Sequence, residues 1–172
     1  MTQTIHKIVA REQLAALVDQ DHAAGKRIIC TNGVFDLMHV GHLRYLQAAR
    51  ALGDILVVGV NSDASTRRLK GNSRPYIPED ERAEMLTGLA CVDIVTIFPE
   101  DTATELVRIV RPHIYTKGGD YGVTNAAATT TTPTKTLPEA PTVIAQGGQI
   151  ILLPYLPQHS TTELVQRVKN AQ

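Results

Sequence analysis

Thr31-Asn32-Gly33-Val34-Phe35-Asp36-Leu37-Met38-His39-Val40-Gly41-His42 follows a short apolar run, Arg27 to Thr31, and leads into a helix-period segment over residues 40–52. A strand, a glycine turn and a helix in that order make one β–α unit. Gly33 lets the backbone turn and approach a ligand closely. The helix start offers unsatisfied N–H groups and partial positive charge to an anion. His39 and His42 are three residues apart, so both rings project from one side of the first turn. Gly41 between them removes a side chain where a ligand could lie. Two imidazole donors at a helix N-terminus suit a phosphoryl group that is acquiring charge. A zinc pair is the plainer alternative, but no set of further ligands stands nearby. The G-x-x-x-x-G-K-[ST] and G-x-G-x-x-G phosphate loops are absent.

Outward from this stretch, helix-period and strand-like segments alternate. Residues 11–24 place Leu14, Leu17 and Val18 at helical spacing ahead of Gly25. The helix at 40–52 offers Leu43, Leu46, Ala49 and Ala51 to a core and stops at Gly53. Asp54 to Val60 is nearly continuously apolar, as in parallel strands buried on both faces. A polar, basic stretch runs from Asn61 to Ile77, and Pro78 to Glu81 opens a helix with acids at its positive end. Val92 to Phe98 reads as a third strand. A helix follows over Thr102 to Val110, with Thr102 and Glu105 in capping-box spacing. His113 to Lys117 is a fourth strand and Gln149 to Leu153 a fifth. Leu137 to Gln146 is a short helix confined by Pro138 and Pro141, and Ser160 to Val168 is a final helix. The pattern implies a single α/β domain, 1–172: a Rossmann-like, doubly wound, five-stranded parallel sheet in an α/β/α sandwich. Residues 1–25 form an N-terminal helical extension, and the Thr-rich segment 124–136 reads as a mobile loop. Ligands of such sheets bind at the carboxyl ends of the strands.

The 172 residues are 43% apolar and 20% charged, too apolar for overall disorder. Lys+Arg and Asp+Glu are 17 each, so no net field marks a nucleic-acid or membrane binder. Neither a membrane span nor a secretory leader is read, and the expected location is cytoplasmic. Cys30 and Cys91 sit in apolar surroundings and read as buried thiols.

Three further groups follow strands. Arg67, Arg68, Lys70 and Arg74 cluster after the second core strand, and Arg forks suit phosphate oxygens. A solvated basic loop is the plain alternative; Lys70 and Arg74 are the preferred pair. Arg82 could face the same site or make an ordinary salt bridge. Lys117-Gly118-Gly119-Asp120-Tyr121 ends a strand, and its glycines permit close backbone approach. Ser160-Thr161-Thr162-Glu163 has capping-box spacing, and a capped helix start is also an anion site.

Gly33-x-Phe35-Asp36-x-x-His39-x-Gly41-His42 resembles the signature of the cytidylyltransferase-like nucleotidyltransferases of the HIGH superfamily. Asn61 to Thr66, Arg68-Leu69-Lys70-Gly71 with Ser73-Arg74-Pro75, Lys117 to Tyr121 and Ser160-Thr161-Thr162 resemble the heptose 1-phosphate adenylyltransferase branch. The likeness covers roughly residues 26–123 and 142–169. In that branch the domain occurs alone or as the C-terminal part of a bifunctional ADP-heptose synthase. A kinase half is not expected, since only about 25 residues precede the first core strand.

The resemblance implies AMP transfer from ATP, with Mg²⁺, to a sugar 1-phosphate, D-glycero-β-D-manno-heptose 1-phosphate, with release of pyrophosphate. It gives His39, His42 and Lys70 catalytic roles. Nucleotide contacts fall to Asn32, Gly33, Phe35, His39, Gly41, His42, Lys117, Gly118, Asp120, Ser160, Thr161 and Thr162. Substrate contacts fall to Asp36, Asn61, Arg68, Arg74 and Arg82. No protein metal ligand is implied. The partners are small molecules, with neither nucleic acid nor membrane, and a homodimer is implied. Many cytidylyltransferases carry Arg-Thr-Glu-Gly-Ile before Ser-Thr-Thr; here Leu156-Pro157-Gln158-His159 stands instead, against the glycerol-phosphate branch. The alternatives are a cytidylyltransferase acting on glycerol 3-phosphate or another small alcohol phosphate, a phosphopantetheine-type adenylyltransferase, and a nucleotide-sensing module without turnover.

Overall fold

A computed structural model describes residues 5–118, 121–122, 135–154 and 161–171. After a 3-10 turn at Ile5–Lys7, the elements run α1 (Arg11–Ala23), β1 (Ile28–Gly33), α2 (Val40–Arg50), β2 (Ile55–Asn61), α3 (Asp63–Lys70), α4 (Glu79–Thr87), β3 (Ile94–Phe98), α5 (Thr104–Val110), β4 (Ile114–Gly118), β5 (Tyr121–Gly122), β6 (Lys135–Thr136), α6 (Ala140–Ala145), β7 (Gln149–Leu153) and α7 (Thr161–Lys169).

Five parallel strands form one sheet in the order β3-β2-β1-β4-β7. The chain builds outward from β1 to β3, then returns across to β4 and continues to β7. That reversal makes the β1–β4 junction a topological switch point, where doubly wound sheets open a crevice. Strand periodicity divides the core. Ile28, Cys30, Val57 and Tyr115 pack with Leu14 and Val18 of α1, Leu106, Val107 and Val110 of α5, and Val143 of α6. Ile29, Leu56, Val58, Val60 and Ile114 pack on the other face with Leu46 and Ala49 of α2 and Ala83 and Leu86 of α4. The α/β/α sandwich and its parallel five-stranded sheet are therefore as the sequence implies.

Several details differ. The basic stretch after β2 contains helix α3, capped by Ser62, whose Oγ accepts from the Ser65 N–H at 3.1 Å. Its apolar residues are too few for a periodic signal, and the cap organises it instead. The Thr102–Glu105 box does not form: α5 begins at Thr104 behind Ala103, without a side-chain cap. Instead, the Ala103 N–H donates to Glu139 Oε1 at 2.7 Å, a partner 36 residues away. Leu17 and Ala51 face outward, while Leu14, Val18, Leu46 and Ala49 are buried. Cys30 is buried and Cys91 half-buried; both are free thiols. Of the Thr-rich segment, Lys135–Thr136 pairs in parallel with Tyr121–Gly122, and residues 124–134 lie outside the described residues.

Gly59 shows how closely α5 lies on the sheet. A Cβ there would collide with Leu106 Cδ2 and stand 3.2 Å from Phe98 Cε1 and 3.3 Å from Asn32 Cβ. Because these neighbours are packed, Gly59→Ala is expected to lower stability by about 1–3 kcal/mol, the usual range for overpacking. Urea unfolding of the two proteins, with unchanged m-values, is the check.

Candidate active site

The β1–β4 ladder ends early. Its register holds Ile29 opposite Ile114 and Cys30 opposite Tyr115. Beyond these pairs β1 continues against β2 to Gly33, and β4 continues against β7 to Gly118. The two strands part, and a cleft of about 630 Å³ opens at their carboxyl ends. Residues 32–36, His39, Gly41, His42, Asn61, Lys70, Arg74, Lys117, Gly118, Glu139 and Thr161 contribute to its walls.

Side-chain networks bridge the parting strands on both faces. On the α2 face, Thr31 Oγ1 donates to the Thr116 carbonyl at 3.1 Å and lies 2.7 Å from the Tyr45 hydroxyl, which lies 3.0 Å from Thr116 Oγ1. The hydrogen count fixes the directions. Thr31 spends its hydrogen on the carbonyl, so Tyr45 donates to Thr31 and Thr116 donates to Tyr45. On the opposite face, the Tyr115 hydroxyl and Lys117 Nζ both donate to Asn32 Oδ1, the latter at 2.6 Å. Lys117 Nζ also donates to the Asn32 carbonyl at 3.0 Å. Burial pushes the Lys117 ammonium down to about 8, partly opposed by Glu139 and Cys30.

The histidines begin α2. His39 is the N-cap, and its Nδ1 accepts from the Gly41 N–H at 3.1 Å. The His39 N–H donates to His42 Nδ1 at 3.3 Å. Each ring thus spends Nδ1 on the helix start, which leaves its hydrogen on Nε2. The ring centroids are 4.0 Å apart. Desolvation, with His39 alongside, pushes His42 down to about 4, so it is neutral at pH 7. A neutral Nε2–H donor is what an anion on this helix start requires. Phe35 supports the pair from below. It adopts φ +50°, costly for an aromatic residue, and its ring lies 5.6 Å from His42. A Cβ at Gly33 would stand 3.0 Å from that ring.

The cations divide into cleft residues and braces. Lys70 and Arg74 line the cleft. Arg74 Nε donates to Asp36 Oδ2 at 2.6 Å and its guanidinium lies 4.8 Å over Tyr76, leaving Nη1 and Nη2 without a protein partner among the described residues. Asp36 is buried, and its other oxygen accepts from the N–H groups of Tyr76 at 2.8 Å and Ile77 at 3.0 Å. Both oxygens are spent within the chain, so Asp36 fixes the 74–77 turn rather than offering the free carboxylate that the motif suggests. Arg82 takes the salt-bridge alternative, with Asp63, rather than the cleft. It is 1% exposed and donates to the carbonyls of Val34, Ile77 and Asn61 and to Asp63 Oδ1, the last three at 2.8–2.9 Å. It braces four segments from behind the cleft. Arg68 is turned to the rim, paired with Asp101 and the Pro99 carbonyl. Asn61 Nδ2 donates to Ser65 Oγ at 3.0 Å. Gly41, Lys117, Gly118 and Thr161 line the cleft, whereas Asp120, Ser160 and the Thr162 side chain lie outside what is described.

Tyr45, Tyr115 and Glu139 were not singled out by sequence. Two of them carry a signal: Tyr45 is three residues after His42 on the helix, and Tyr115 shares a strand face with Lys117. Glu139 becomes a site residue only through the packing of α6 against α5. Among the described residues, no group of three His, Cys, Asp or Glu could hold a metal ion, and no helix is long and apolar enough to cross a membrane.

The family described as Cytidylyltransferase-like matches residues 30–167. The chain is 49% identical over 162 residues to the "Bifunctional protein HldE" of Pelobacter propionicus and 47% identical over 162 residues to that of Syntrophotalea carbinolica. Each match covers 94% of this chain and 31% of the relative, so the chain spans about a third of the length of these relatives. Among solved structures, a lipopolysaccharide core biosynthesis protein from Thermoplasma volcanium is similar, with TM-score 0.56 and 29% identity, covering 77% of this chain and 98% of that one. Pantoate-beta-alanine ligase from Francisella tularensis shares the fold at TM-score 0.59 and 12% identity, covering 94% of this chain and 76% of that one.

The neutral state of His42 links the site to stability. Its folded pKa, about 4, lies below the ordinary 6.5, so the unfolded chain binds the proton more readily. The stabilisation is complete above pH 6.5 and is lost as pH falls from there through 4. Thermal melts between pH 7 and pH 4 are expected to fall more steeply for the native protein than for His42→Gln, which cannot titrate.

Proposed function

The chain belongs to the cytidylyltransferase-like family, and from that premise we propose that it transfers AMP from ATP to D-glycero-β-D-manno-heptose 1-phosphate, giving ADP-heptose and pyrophosphate. The observation that carries the proposal is the pair of imidazoles at the α2 start on the cleft wall, each with Nδ1 accepting a backbone N–H. The relatives named HldE and the lipopolysaccharide core biosynthesis protein support the heptose acceptor. So do the Arg68-to-Gly71 and Lys117-to-Tyr121 elements.

In this reaction an oxygen of the acceptor phosphate attacks the α-phosphorus of ATP. A new P–O bond forms, the bond to the β-phosphate bridge breaks, and pyrophosphate leaves with the electron pair. No covalent enzyme intermediate is required, so the protein acts by positioning and electrostatics. His39 and His42 donate from Nε2 to phosphoryl oxygens as charge builds on them. The triphosphate lies over Gly33 and Gly41, where no side chain intrudes, against Asn32, Lys117 and Thr161. Lys70 and the two free Arg74 nitrogens hold the acceptor phosphate, and Asp36 holds Arg74. Mg²⁺ fits this donor set as a phosphate-held ion: Asp36 is saturated, Asp101 is paired with Arg68, Glu139 keeps one oxygen open, and no group of three acids, histidines or cysteines stands together among the described residues. When bound, it neutralises phosphate charge. The proposal includes a cytoplasmic homodimer in which residues 1–172 form one nucleotidyltransferase domain. A cytidylyltransferase that uses CTP and glycerol 3-phosphate is the competing assignment.

Pyrophosphate release with Mg²⁺ tests the proposal, crossing ATP and CTP with heptose 1-phosphate, other sugar 1-phosphates and glycerol 3-phosphate. Turnover confined to ATP with heptose 1-phosphate is the expected result; turnover with CTP and glycerol 3-phosphate would replace the substrate assignment. His42→Ala should fold normally and lose on the order of 10²–10³ in kcat, the range for removing one donor to a developing charge; near-native kcat would sink the mechanism. Turnover should also decline as pH rises through about 8, where Lys117 loses its proton and the cleft loses a cation. A pH–rate profile flat from 7 to 9 would count against that role.

A further inference from the structure

Asn32 and Lys117 lie just beyond the last ladder pair of β1 and β4, where backbone bonds no longer join the strands. Asn32 Oδ1 receives two hydrogen bonds there, from the Tyr115 hydroxyl and from Lys117 Nζ. This pairing fixes the amide's orientation. A flipped amide would set its NH₂ against an ammonium, which has three donors and no acceptor. The oxygen is therefore held inward, and Nδ2 has no protein partner among the described residues. Asn32 itself is half-buried and lines the cleft beside Gly33 and the α2 start. Its surroundings favour an anion: a buried ammonium, the positive end of α2 and the His42 Nε2–H. Of the acids nearby, Asp36 is engaged with Arg74 and two backbone N–H groups, and Glu139 gives Oε1 to Ala103 while its Oε2 has no hydrogen-bond partner among the described residues.

We infer that Tyr115 is a positioning residue which, with Lys117, locks the Asn32 side-chain amide as a fixed donor to an anionic phosphate oxygen in the cleft. The inference rests on the nucleotide reading for its ligand class but concerns a polyphosphate anion in general. Tyr115 is fully buried. It is not among the residues that line the cleft, and its hydroxyl acts on the site through Asn32. Because a mobile amide must be ordered when the anion arrives, losing the lock weakens binding without removing any contacting group.

The probe is inorganic tripolyphosphate, titrated calorimetrically into the native protein, Tyr115→Phe and Asn32→Asp. Tyr115→Phe keeps the ring and is expected to bind tripolyphosphate roughly tenfold more weakly, the order of one hydrogen bond to a charged group. Asn32→Asp replaces the donor with a carboxylate and is expected to lose more. In the native protein the Asn32 side-chain NH₂ resonances, assigned by their absence from Asn32→Asp, should shift on saturation with tripolyphosphate. Native affinity in Tyr115→Phe would overturn the proposal. So would Asn32 resonances that ignore the anion, a result that does not depend on either variant folding. A native protein that binds tripolyphosphate through Asn32 yet releases no pyrophosphate from ATP or CTP would leave this inference standing and remove the functional reading instead.

Discussion

The structure depends on where the β1–β4 ladder stops. Two parallel strands at the centre of a sheet would ordinarily hydrogen-bond along their whole length, yet here the register ends at Cys30 and Tyr115 while both strands continue against their outer neighbours. The separation creates the cleft and exposes backbone polar groups that need partners. Side chains supply them on both faces: a cycle of three hydroxyls and a carbonyl through Thr31, Tyr45 and Thr116 on one, and Asn32 clasped by Tyr115 and Lys117 on the other. The groups that close the gap thus also form the site's floor. Opening a crevice and furnishing it with oriented polar groups are one structural event.

Charge is arranged around that floor by the same economy. The chain carries equal numbers of basic and acidic residues, yet the cleft presents cations because most of the nearby carboxylates are paired, Glu139 keeping an open oxygen among those that line it. Asp36 is closed by Arg74 and two N–H groups, Asp63 meets the buried Arg82, and Asp101 meets Arg68 at the rim. Lys70, Lys117 and the open side of Arg74 remain in the cleft. His42 adds a donor without adding charge, since burial holds it neutral. Neutral donors suit a transition state in which negative charge is redistributed rather than created, because they stabilise it without trapping the released anion as a fixed cation would.

The fold was legible because its signals are local. The near-continuous apolar run at 54–60, the glycine turn after β1 and the three-residue spacing of His39 and His42 each depend on neighbours in sequence. What escaped depends on distant ones. Helix α3 has too few apolar residues to show a period. The Thr102–Glu105 box was a sound local pattern, but Glu139 reached the α5 start from α6 and the helix began two residues later. Asp36, within its motif, and Arg82, outside any motif, are both candidates in the sequence. Their roles were not legible, because which side of the chain a buried guanidinium or carboxylate faces is decided by four segments meeting in space.

Those two residues show how motif and function separate. Arg82 joins the 33–36 loop, the end of β2, the start of α3 and the turn before α4 through carbonyls and one carboxylate. A buried guanidinium with four hydrogen bonds is costly to break, about 3–5 kcal/mol when one partner is lost, so it fixes those segments relative to each other. Asp36 then sets Arg74, which alone of this chain of contacts has nitrogens to spare for a ligand. The order runs from a buried cation, through loop geometry and a saturated carboxylate, to a half-open arginine at the mouth. All three are candidates in the sequence, and of them only Arg74 lines the cleft with nitrogens unspent on the described residues.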